Sequence, residues 1–156
     1  MQTEDQMATW EYELVEPPLE SRARELWLQH AAGFILTKDV RCYAMEKMDT
    51  ALPEESRAAV QKGIDDALYG LMMIIDGVMG ELSNANHIVS IDFIVRLAAS
   101  GDAQDRDGIS GIDLRHGDGM CMGYHGWLEG DFGIHPVATL EPEADTDGRA
   151  SGQDEP

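Results

Sequence analysis

The apolar residues of this chain keep a helical spacing as far as Met79 and then, after one polar turn, switch to alternation from His87 to Leu97. A period near 3.6 and a period of 2 cannot share one element, so helix-forming and strand-forming stretches are segregated along the chain. Val60, Ile64, Ala67, Leu68, Leu71, Met72, Ile75, Val78 and Met79 make one broad apolar stripe. Pro53 suits the first helical position, where its missing N–H has no partner. Glu54 and Glu55 complement the positive end of the helix dipole, and Gly80 suits the position after the last turn. Gly63 and Gly70 weaken the interior by about 1 kcal/mol each relative to alanine, which leaves one helix or two as alternatives over this segment. From Leu71 to Ile75 the stretch is apolar all round, which predicts a central buried helix with Leu71 at its middle.

Ser83-Asn84-Ala85-Asn86 is turn chemistry. Beyond it His87, Val89, Ile91, Phe93, Val95 and Leu97 alternate with Ile88, Ser90, Asp92, Ile94, Arg96 and Ala98. The pattern predicts a long half-buried strand anchored by Phe93. Ser110, Ile112 and Leu114 predict the next strand, after a loop over Gly101–Gly108. Met120, Met122 and Tyr124 predict a third. Because opposed residues share a face, the register places Phe93 across from Leu114, Asp92 across from Arg115 and Ile91 across from His116. The other register consistent with the faces would oppose Asp92 to Asp113, and the choice between the two rests on the favourable Asp92–Arg115 ion pair over that repulsive one.

Upstream, Glu20–Ala32 reads as a helix capped at Ser21 and ended by Gly33, with Phe34–Leu36 an extended link and Thr37–Met48 a second helix. Trp10, Tyr12 and Leu14 alternate before Pro17-Pro18 and suggest a short strand. The expected class is α+β: N-terminal helices followed by an antiparallel β-meander packed on the central apolar helix. Segregated patterns argue against a doubly wound parallel sheet. The expected organisation is an acidic arm over 1–19, one globular domain over 20–140, and a disordered acidic tail over 141–156 that holds no large apolar residue to offset its ordering entropy.

Charge narrows the function. The 156 residues carry a net charge of −19, with 11 basic side chains against 30 acidic ones. Nucleic-acid binding needs a basic face, which this composition does not supply. No apolar run reaches the length of a membrane span, and residues 1–20 carry six acids and no base, unlike an export or transit signal. The expected compartment is the cytoplasm, where Cys42 and Cys121 are free thiols packed as small apolar groups. More than half of the charge excess lies in residues 1–20 and 141–156.

The densest chemistry runs from Asp113 through His116, Asp118, Cys121, Tyr124, His125, Trp127, Glu129 and Asp131 to His135, interleaved with glycines. His116, Cys121, His125 and His135 are zinc-ligand types. In a strand, however, Cys121 and His125 stand roughly 13 Å apart at about 3.3 Å per residue, so no metal is expected. Asp105-Arg106-Asp107-Gly108 resembles the middle of a calcium loop but puts Ala103 and Leu114 where oxygen ligands belong. No phosphate-cradling or dinucleotide motif is present, and no cofactor is expected. The catalytic candidates are His87, His125 and Asp118, with Ser110 and Cys121 as nucleophiles of the right type. Asp76, inside the apolar helix, must find donors if buried.

Three functions fit these features. The preferred one is a small acidic protein-binding module, an inhibitor or immunity-type partner of a basic protein. It would bind through Tyr124 and Trp127 as loop aromatics, rimmed by Asp118, Glu129 and Asp131. The second is a hydrolase-like enzyme with a His/Asp pocket in the 113–135 region. The third makes the acidity a solubilising or environmental adaptation alone. No oligomeric state follows from the sequence.

Overall fold

A computed structural model describes residues 11–101 and 110–139. The tail over 141–156, Trp10 and all of the expected loop after Gly101 lie outside the described residues. The class is α+β, with helices making the core and short antiparallel ladders around it.

Helix α1 (Ser21–Ile35) starts on Glu20 rather than on Ser21. The Glu20 carboxylate accepts the N–H groups of Arg22 at 3.0 Å and Ala23 at 2.6 Å. Those two donors hold its carboxyl below the usual range. Gly33 does not end the helix. The chain runs on through a π-helical segment (Leu36–Cys42) into α2 (Tyr43–Glu46), so the expected extended link is helical. Gly33 instead provides room, because a Cβ there would overlap the Trp127 indole.

Helix α3 (Glu54–Ile75) begins after Pro53 and passes both interior glycines unbroken. Its buried face is Leu68, Met72 and Ile75. Leu71 lies beside that face and is half-buried, so Met72 occupies the centre expected for Leu71. The core joins these residues to Ala32 and Phe34 of α1, and to Leu114, Met120, Tyr124, Trp127 and Phe132.

Two further segments depart from the sequence reading. Met120–Leu128 forms helix α4 in place of the expected third strand. The strands also do not join into one meander. Among the described residues they form three separate two-stranded antiparallel ladders. β1 (Tyr12–Leu14) pairs with β6 (Val137–Thr139). β2 (Leu82–Ser83) pairs with β3 (Ile88–Val89). β4 (Ile94–Leu97) pairs with β5 (Ser110–Asp113) and lies mainly against α1.

The β4–β5 register is the expected one, with Ile94 across from Asp113 and Val95 across from Ile112. It extends one step further through the Leu114 N–H, which donates to the Phe93 carbonyl at 2.8 Å. The Asp92–Arg115 pair does not form, because the chain leaves the ladder at Leu114 in a 3-10 turn (Leu114–His116). There the Asp113 carboxylate accepts the Arg115 N–H at 3.0 Å. The expected parity holds along β4: Val95 and Leu97 are half-buried, Ile94 and Arg96 exposed. Phe93 is half-buried against the edge of the core. Ahead of it, residues 87–92 are exposed throughout, so the long half-buried strand is two short strands with an exposed stretch between them.

Candidate functional site

The glycine-rich stretch singled out in the sequence is the inner wall of the core. Its helix, α4, begins at Gly119, which offers no side-chain cap. The missing acceptor comes from Asp76, the residue that closes α3. Asp76 Oδ1 accepts the Met120 N–H at 2.6 Å and Oδ2 accepts the Cys121 N–H at 2.9 Å. One carboxylate thus satisfies two of the donors that a helix start leaves unpaired and sits at its positive end. Buried Gln29 secures the preceding turn. Its amide accepts the Asp118 N–H at 2.7 Å and donates to the Gly119 carbonyl at 3.1 Å.

Tyr124 and Trp127 are therefore not exposed loop aromatics. They are 3% and 2% exposed, on the inward face of α4. Glycines at 33 and 123 let the Trp127 indole lie flush between α1 and its own helix, since a Cβ at either position would overlap the ring. The indole N–H donates to His30 Nδ1 at 3.0 Å, and the ring stacks on Phe132 at an interplanar angle of 7°. Burial pushes the His30 pKa down, which keeps the ring neutral and able to accept that bond. Tyr124 reaches the Asp65 carbonyl with its hydroxyl at 3.3 Å. Burial and then the nearby Asp65 carboxylate push its pKa up to about 12. Arg41, from the π-helical segment, grips Asp65 with a fork of 2.6 and 3.2 Å.

The remaining nominated residues scatter. Asp118 is ion-paired with Arg22. Glu129 closes α4 and is exposed, while Asp131 is a turn acceptor for the Gly133 N–H at 3.0 Å. His116 is exposed, although its register position placed it on the apolar face. His87 is exposed at the β2–β3 turn, not at a core edge. His125 is exposed above Tyr69, with ring centroids 5.6 Å apart. It lines a groove of about 270 Å³ with Asp65, Asp66 and Tyr124, which includes neither His87 nor Asp118. Burial, then the Asp76 carboxylate, push the Cys121 thiol up, so the thiolate a nucleophile needs is disfavoured. Because α4 is a helix, Cys121 and His125 are one turn apart, and the strand-spacing argument against a shared metal fails. Among the described residues no group of three or more His, Cys, Asp or Glu is placed to hold a metal ion. Both cysteines are free.

The surface with the properties of a binding site lies elsewhere. From beyond the end of α3 to the first residue of β4 the chain forms an exposed arm over 78–94, built around the β2–β3 ladder, in which Phe93 alone is half-buried. Its other apolar side chains are exposed: Leu82 is 75% exposed, Ile88 66% and Val89 64%, with Val78, Met79, Ile91 and Ile94 also exposed. Scattered apolar exposure is ordinary, but a run of this kind along one stretch of chain is not. The arm is visible in the sequence only as alternation, which reports an apolar face without saying what covers it. Among the described residues no helix is long and apolar enough to cross a membrane. Comparison with family models, with curated proteins and with solved structures finds no match.

Proposed function

We propose that the chain is a protein-binding module for a basic partner and that the arm over 78–94 is its docking surface. The observation that carries this reading is the exposure of Leu82, Ile88, Val89, Ile91 and Ile94 along one stretch of chain. Burying each such side chain against a partner is worth about 1.5–3 kcal/mol. The partner's charge follows from complementarity. The chain has a net charge of −19, and from Val78 to Val95 the only ionic residues are Glu81 and Asp92. Long-range attraction would bring a basic protein in, and the apolar arm would hold it. Tyr124 and Trp127 have no part in this surface, since both lie in the core.

The test is capture of partners from the source organism at low salt, run in parallel with the wild-type chain and an Ile88→Lys variant. The reading requires a basic protein that the wild type retains and the variant loses, with association slowed by added salt more than dissociation is hastened. Capture indifferent to Ile88→Lys, or no basic protein at all, overturns it.

A further inference from the structure

We infer that the arm takes its partner as an added β-strand, an extended basic segment in which apolar side chains alternate with Lys or Arg. The inference rests on the docking reading above and specifies its geometry. The β2–β3 ladder holds two residue pairs, Leu82 with Val89 and Ser83 with Ile88, and among the described residues no third strand flanks it. Two strands alone are marginal in water, whereas three with an apolar face are self-supporting. The hairpin is already set at its turn. Asn84 Oδ1 accepts the N–H groups of Asn86 and His87, each at 2.9 Å, and the Asn84 N–H donates to the His87 carbonyl at 2.9 Å. Binding would thus not have to fold the arm first.

The strand-forming pattern is also longer than the pairing. Alternation runs from His87 to Leu97, yet β3 ends at Val89 and β4 starts at Ile94. Ser90–Asp92, between them, has strand chemistry and no ladder partner. Proteins ordinarily guard exposed strand edges with Lys, Pro or inward charges. From Val78 to Val95 this chain has no Lys, Arg or Pro. An unguarded, preformed apolar edge suits strand addition, where backbone bonds give affinity and alternate side chains give selectivity. Glu81 and Asp92, the acids on this stretch, favour basic side chains on the added strand. They disfavour a second copy, which would bring like charges together.

The probe is a synthetic capped peptide alternating Val with Lys, titrated into the full chain. Two controls accompany it: an isomer of the same composition with valines at helical spacing, and the alternating peptide N-methylated on every second amide. Strand addition requires that the alternating peptide binds and that Ser90–Asp92 amide exchange slows at least about tenfold. It also requires that N-methylation and Ile88→Lys each weaken binding by about tenfold or more. Equal binding of the helical isomer, still lost in Ile88→Lys, overturns strand addition and leaves the docking reading standing. Strand addition is likewise overturned, and docking retained, if no peptide binds while Ile88-dependent capture of a basic protein persists. Slowed exchange along the arm in a dimer of the chain, without peptide, overturns both.

Discussion

Two regions of this molecule exchange the roles their compositions suggest. The 113–133 stretch is rich in glycine, histidine and carboxylates, the usual marks of a site, yet it builds the core. The 78–94 arm carries an alternating apolar pattern, the usual mark of core, yet it faces solvent. The difference is one of partners. The first region has three polar anchors reaching it from distant elements: Asp76 on Met120 and Cys121, Gln29 around Gly119, and His30 on Trp127. The second, Phe93 apart, has apolar side chains that the described chain leaves exposed.

If that contrast is right, Trp127→Ala is the most damaging change, costing about 3–5 kcal/mol in chemical denaturation. A loss below about 1 kcal/mol would show that the core does not centre on the glycine-rich stretch. Asp76→Ala comes next. It orphans two N–H groups at the start of α4 and should cost about 2–3 kcal/mol, with loss of helical signal and with Asp76→Asn recovering part. An Asp76→Ala protein as stable as wild type would break the idea that α4 is held by its anchors.

His30 sharpens the comparison through pH. Its folded pKa is lowered by burial, so the unfolded chain takes up the proton first. The contribution is fully present above the ordinary histidine value of about 6.5 and is lost as pH falls through the folded value. Stability should therefore drop below about pH 6.5, and His30→Gln should flatten that part of the profile. Parallel profiles for the two proteins would refute the role of the Trp127–His30 bond. The smallest effect belongs to the arm. Ile88→Lys should change stability by under about 0.5 kcal/mol, because the side chain has little contact to lose. A larger loss would mean that the arm is buried in the free protein.

Where the pattern is local, it is legible. The α3 stripe with its Pro53-Glu54-Glu55 start specifies the helix, and the parity of Phe93–Leu97 against Ser110–Leu114 narrows the β4–β5 register to two. The ion pair used to select that register does not exist, because Arg115 turns away after Leu114. Inward parity and the Phe93–Leu114 backbone bond hold the strands instead. Helix α4 is not legible. Met120–Leu128 contains two glycines, and its cap lies on a residue far earlier in the chain. Gly33 resembles a helix stop for a related reason, since what it accommodates is a ring contributed by a distant element.

The sequence by itself determined which stretches repeat with a helical or an alternating period, how the two kinds are segregated, and that the chain is strongly acidic. Periodicity reports that an apolar face exists, and charge adds along the chain whatever the fold. Only the tertiary structure decided which apolar faces meet. It joined Asp76 to the start of α4, inserted Trp127 between Gly33 and Gly123, and left the arm uncovered. Those outcomes depend on contacts between residues far apart in the chain, and the energy of such contacts is defined only once both partners are in place.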